Sequence, residues 1–129
     1  MNFNKKIGNR FEWELCQKLA SYGFWVHNMA QTAAGQPADI IAVRDGLAEL
    51  IDCKVCTGTY FRVDRIEDNQ LYAMSLWEEC GNSTGWFAVQ FGDLIYMVSL
   101  HALEKAEKKC LDSEWFEEHA LDLESWATS

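Results

Sequence analysis

The sequence predicts an α/β protein, a mixed sheet with helices packed on it, in the order αβββαββα. Three observations predict it. Apolar residues recur at three- and four-residue steps over the first twenty-odd positions. Four short apolar runs further on are joined in pairs across Asp45-Gly46 and Gly92-Asp93, both turn signals. Helical spacing returns between those pairs.

Each element follows from its residues. Ile7, Phe11, Leu15, Leu19 and Tyr22 form the stripe of an amphipathic helix over 5–22, and Gly23 is its stop. Residues 24–29 read as a strand, and 31–37, with Gly35, as a small-residue loop. Residues 38–43 and 47–55 are strands of one hairpin around Asp45-Gly46. Residues 56–63 read as a loop. Asp64 as N-cap, with Glu67 three residues on, opens a second helix with Ile66, Gln70, Met74 and Trp77 along one face. Gly81 ends it. Strands 86–91 and 94–100 form a second hairpin, and 101–126 reads as one or two acidic helices. With no repeat or linker, residues 1–129 are expected to form a single domain.

Composition narrows the function classes. Hydrophobic residues make up 49% of the 129, with six Trp and one Pro, which excludes a disordered chain. No apolar run approaches the ~20 residues of a membrane span, and the first residues lack a secretory pattern, so a cytoplasmic protein is expected. Five cysteines, an odd number at irregular spacing, suggest no disulfide framework. The net charge of -9 disfavours a polyanion partner when taken whole. Residues 1–65 carry eight basic and seven acidic residues, whereas 66–129 carry three and thirteen. A polyanion site is therefore expected in the first half.

The informative stretch is Pro37-Ala38-Asp39, twelve intervening residues, then Asp52-Cys53-Lys54. Alternation along a strand puts Asp52 and Lys54 on one face. Such a pair is costly to bury unless paired or bound. Asp39 begins the neighbouring strand, so two carboxylates converge at one sheet edge, a donor set that suits hard divalent cations. Glu12 borders the inward face of the first helix; Glu14, about 200° around, looks away.

Glu12, Asp39, Asp52-Cys53-Lys54 and Gln70 resemble the PD-(D/E)xK nuclease superfamily, and most closely its small Holliday-junction resolvases and restriction-type nucleases. Gly8-Asn9-Arg10-Phe11-Glu12 with Leu15, Leu19 and Gly23-Phe24 is similar to their first helix and following strand. Residues 38–43 and 51–54 are similar to their hairpin. The family's Pro-Asp pair stands here as Pro37-Ala38-Asp39, with one residue inserted. The resemblance spans about residues 5–100 and implies a restriction-endonuclease-like core, αβββαββ, with a mixed central sheet flanked by helices. The acidic C-terminal helices, about 101–129, extend it.

The resemblance implies Mg²⁺-dependent phosphodiester hydrolysis on DNA, with Mn²⁺ able to substitute. Asp39, Asp52 and the Cys53 backbone carbonyl are expected to hold the metal, and Glu12 a metal-bound water or a second ion. Lys54 is expected to orient the attacking water or stabilise charge on the phosphate, with Gln70 positioning it. Lys5, Lys6, Arg10, Arg62 and Arg65 are expected to contact DNA phosphates. A branched, two-fold substrate implies a homodimer. The alternatives are a restriction- or repair-type nuclease, and a non-catalytic binding protein on the same fold with a protein partner at the acidic C-terminal region.

Other signals have plainer readings. Cys53-Lys54-Val55-Cys56 has no second pair or nearby His for zinc, and the two thiols face opposite sides of a strand. His27, His101 and His119 are scattered. Trp115 and Trp126 are candidates for an oligomer contact, and Thr32 and Gln36 for a substrate-reading loop.

Overall fold

The computed structural model describes residues 3–29 and 38–129. The expected loop with Thr32, Gly35, Gln36 and Pro37 lies outside them. The elements are α1 (Phe3–Ser21), β1 (Trp25–Asn28), β2 (Ile40–Arg44), β3 (Leu47–Cys56), β4 (Tyr60–Arg62), a 3-10 turn (Val63–Arg65), α2 (Asp68–Glu79), β5 (Trp86–Phe91), β6 (Leu94–Ser99), α3 (Leu100–Glu104), β7 (Cys110–Asp112), α4 (Ser113–His119), β8 (Leu121–Asp122) and α5 (Leu123–Thr128). Six strands form a sheet in the order β1-β2-β3-β5-β6-β8, and β4 pairs with β7 in a second, two-stranded sheet. Among the described strands only β3 and β5 run parallel, so the main sheet is mixed.

Local chemistry fixes the central hairpin. Asp45 (φ 54°) and Gly46 (φ 76°) both take the left-handed conformation that a tight two-residue hairpin turn needs. The register from that turn runs from Arg44↔Leu47 to Ile40↔Ile51, where β2 begins. β3 continues to Cys56 and pairs there with β5 alone. The far half of β3 thus has a backbone edge that no strand covers among the described residues.

Alternation on β3 divides the core. Ile51, Cys53 and Val55 face the layer of Phe11, Leu15 and Leu19 from α1. Asp52 and Lys54 share their face with their register partners Phe87 and Val89, on the side where Met74, Phe61, Leu111 and Phe116 pack. α2 reaches this face closely because Gly85 has no side chain. A Cβ there would lie 2.3 Å from the Met74 sulfur.

Three features differ from the sequence reading. The α2 helix starts one turn later than expected. The Asp64 carboxylate is held by Arg62 at 3.2 and 2.8 Å and caps nothing; Glu67 is the N-cap, its N–H donating to Gln70 Oε1 at 3.1 Å. The stretch 56–63 contains β4, whose partner β7 lies some fifty residues downstream.

The acidic tail, finally, is built into both cores. Phe116 is fully buried among Phe61, Phe91 and Tyr96. Trp126 is buried, stacked on Phe24 at 5.5 Å with an edge contact to Trp86 at 5.7 Å, which removes it as an oligomer contact. The tail's acidic side chains are all exposed. Asp112 and Asp122 cap α4 and α5 by accepting N–H bonds from Trp115 and Ser125 at 2.9 and 2.8 Å. No helix among the described residues is long and apolar enough to cross a membrane.

Gly85→Ala is expected to push Met74 and α2 outward. Overpacking of this kind costs about 1–3 kcal/mol, a fall in Tm on the order of 5 °C for a chain of this size. Thermal melting checks it, and an unchanged Tm contradicts the close approach.

Candidate active site

The site forms where β2 begins and β3 runs on. Asp39 stands one residue before β2. Its N–H donates to Ile51 O at 3.1 Å, and its carbonyl accepts from Met29 N–H at 2.8 Å, so its backbone is tied to both neighbouring strands. Its carboxylate Oδ2 accepts the Cys53 N–H at 2.7 Å. In a strand the N–H and C=O of one residue point to the same side. The Cys53 carbonyl therefore also opens toward the uncovered edge of β3, beside Asp39.

On the α2 face, Asp52 is only 1% exposed. Its Oδ1 accepts from Gln70 Nε2 at 2.9 Å. Lys54 Nζ lies 3.0 Å from Asp52 Oδ2 and donates to Gln70 Oε1 at 3.3 Å. Gln70 thus bridges the acid and the amine while its Oε1 also caps α2. Asp52 Oδ2 is held by the Lys54 ammonium as an ion pair at 3.0 Å, without a further hydrogen bond.

The charges do not balance. Burial, and then the Asp39 charge, push the Asp52 carboxyl well above the usual carboxylate range, and Lys54 opposes this only in part. Glu12, half-buried on α1, is pushed up to about 7 by burial and by Asp39. The Cys16 thiol rises to about 11 by burial and by the Glu12 and Asp39 charges, and the Cys53 thiol rises for the same kinds of reason. An additional cation would offset the mutual repulsion that contributes to every one of these shifts. The donors also fit one: two buried carboxylates and an outward backbone carbonyl are hard oxygen ligands.

Among the described residues no three His, Cys, Asp or Glu side chains gather into a metal cage. Glu12 is coupled to Asp39 by charge and does not join Asp39 and Asp52 around one point. Such a sparse donor set suits a cation that keeps much of its water, as Mg²⁺ does.

The structure brings Asp39, Asp52, Cys53, Lys54 and Gln70 together. The expected basic residues are more dispersed. Arg65 lies on the same open edge, its guanidinium donating to Val55 O at 2.8 Å and lying 5.7 Å from the Phe61 ring centroid. Arg62 is exposed and paired with Asp64. Arg10 pairs with Glu14 at 3.6 Å, about 200° around α1 from Glu12 and away from the acids. The side chains of Lys5 and Lys6 lie outside the described residues. The sequence reading missed the Gln70–Asp52 bond; its signal was the Glu67-x-x-Gln70 capping spacing, obscured by assigning the cap to Asp64. Cys53 and Cys56 pack into opposite cores, as their alternation requires.

Comparison with known proteins places these features. A family model described as Hjc, archaeal Holliday junction resolvase, matches residues 3–129, so the match extends through the tail. No curated protein matches. The solved structure of Hjc, a Holliday junction resolvase from the hyperthermophile Archaeoglobus fulgidus, superposes with a TM-score of 0.74. It covers 93% of this chain and 99% of that one at 19% identity, a likeness of fold.

The Glu12 shift has a pH consequence. A carboxyl raised from 4.5 to about 7 contributes stability fully present below its unfolded value and lost as pH rises through 7. In chelator, Glu12→Gln is therefore expected to gain stability relative to wild type as pH rises from 4 to 8. The gain is about 1 kcal/mol once solvent screening of a half-buried group is allowed for. Paired melting curves at both pH values check this; a difference independent of pH contradicts it.

Proposed function

The chain belongs to the archaeal Holliday junction resolvase family, whose members are structure-specific DNA endonucleases, and from that premise we propose how its residues hydrolyse branched DNA. The observation that carries the reading is the buried network of Asp39, Asp52, Lys54 and Gln70, beside an outward carbonyl.

Asp39, Asp52 and the Cys53 carbonyl would hold Mg²⁺, or Mn²⁺ in its place. The bound cation supplies Lewis acidity at a phosphate oxygen and an acidified water. Lys54, held by Asp52 and Gln70, presents its ammonium where charge builds on the phosphate and helps orient the attacking water. Gln70 is a positioning residue, acting through Lys54 and Asp52. Glu12, high in pKa beside Asp39, holds a water at the edge of the cluster. Arg62 and Arg65 contact phosphates along the open edge, with Lys5 and Lys6 on α1 as further contacts. A four-way junction is two-fold symmetric and needs paired incisions, which supports a homodimer.

The test compares a labelled four-way junction, linear duplex and single strands of the same sequence with Mg²⁺. Wild type is expected to place paired, symmetric nicks in the junction, and chelator to stop them. Lys54→Ala and Asp52→Asn are expected to lose at least about 10²-fold in rate. Equal cutting of all three substrates would favour a restriction- or repair-type nuclease. A Lys54→Ala variant as fast as wild type would rule out the catalytic network.

A further inference from the structure

We propose that the groove of about 410 Å³ between the start of α1 and the uncovered edge of β3 seats the nucleotide next to the scissile phosphate, with Gly8 leaving room for its backbone and Tyr60 stacking on its base. The proposal rests on the nuclease reading above and adds residues that take no part in the acid cluster.

The groove follows from the register of β3. Beyond Ile51 its free edge carries Cys53, whose N–H is taken by Asp39, and Val55, whose carbonyl is taken by Arg65. Both residues line the groove, with Gly8, Tyr60, Arg62 and Arg65. One end therefore touches the backbone between Asp52 and Lys54. Among the described residues no carboxylate lines it, and two guanidinium groups do. A second groove among the described residues, about 990 Å³, mixes Glu107, Asp112, Glu114 and Glu118 with Lys105 and Lys108 and does not reach the acid cluster.

Gly8 supplies an independent observation. It sits inside α1, where glycine is a poor helix residue. A Cβ there would meet nothing within 4 Å, and its conformation requires no glycine. The packing of the described residues thus gives no reason to avoid a side chain. The space that Gly8 keeps clear belongs to the groove, one helical turn before Glu12, and suits the close approach of a sugar-phosphate backbone.

Tyr60 also lines the groove. It is 58% exposed and shares the outer side of β4 with Arg62, while Phe61 between them is buried. Its backbone is steadied by the Cys56 thiol, which donates to Tyr60 O at 2.8 Å. An exposed ring beside fixed cations is the arrangement that binds an unstacked base together with its phosphate. Bases at the branch point of a junction are the ones most easily unstacked. This site therefore favours branched DNA over continuous duplex.

The experiment measures binding of a dye-labelled four-way junction and its matched duplex by fluorescence anisotropy in chelator. The proteins are wild type, Gly8→Leu, Tyr60→Ala and Tyr60→Phe, each also melted. Gly8→Leu is expected to melt at or above wild type yet bind the junction roughly tenfold more weakly. Tyr60→Ala is expected to lose a similar factor, within the range of one base stack, with the salt dependence of binding unchanged because no phosphate contact is removed. Tyr60→Phe is expected to restore wild-type binding. Junction affinity within about twofold of wild type in both Gly8→Leu and Tyr60→Ala, at undiminished Tm, overturns the groove. Failure of wild type to cut junctions with Mg²⁺ overturns the nuclease reading instead, so the two failures are distinct.

Discussion

The burial of Asp52 beside Lys54 is the constraint on which the rest depends. Taking two opposite charges out of water costs several kcal/mol per ion unless each finds good partners. Gln70 supplies one to each, bonding Asp52 Oδ1 and accepting from Lys54 Nζ. The pairing is incomplete, because Asp39 and Glu12 add negative charge that one lysine does not offset and Asp52 Oδ2 has no hydrogen bond beyond the Lys54 ion pair. A protein selected for stability alone gains little from such an imbalance. A protein that must hold a cation against a phosphate gains the site itself, and perturbed carboxyls clustered at a sheet edge are a common mark of such work.

The sheet makes the imbalance usable. β2 starts opposite Ile51, and β3 runs five residues further with β5 alone as neighbour. An uncovered strand edge is normally a liability. Here two of its polar groups are taken up, the Cys53 N–H by Asp39 and the Val55 carbonyl by Arg65, and the Cys53 carbonyl opens to the cluster. α2 sits close enough to deliver Gln70 because Gly85 admits Met74. The tail reconciles a net charge of -9 with a polyanion substrate. Its acidic side chains project into solvent, two of them as helix caps, while its apolar residues complete the two cores.

Much of this was legible in the sequence, and the exceptions share a cause. The hairpin and its register were readable because Asp45-Gly46 and strict alternation are local signals, and they alone put Asp39, Asp52 and Lys54 at one edge. The first helix was readable from its stripe, with Glu12 on the inward border. What was not legible depends on partners distant in sequence. Tyr60–Arg62 is three residues long and becomes a strand only against Cys110–Asp112. The start of α2 was misplaced because Asp64 has the chemistry of a cap but is held by Arg62. The tail looked like an appendage because its acids outnumber its apolar residues, and the burial of Phe116 and Trp126 depends on rings far upstream. Arg10 looked like a phosphate contact by type, and only the helix phase turns it toward Glu14.

The central claim is that the excess negative charge around Asp52 is a cation site. The most direct measurement is a crystal of the protein soaked in Mn²⁺, with the ion located by its anomalous scattering. The account predicts one strong peak bonded to carboxylate oxygens of both Asp39 and Asp52 and to the Cys53 carbonyl, at the roughly 2.0–2.2 Å expected for oxygen ligands of small divalent ions. A peak elsewhere on the protein with none at this edge, or no peak at all, would contradict it.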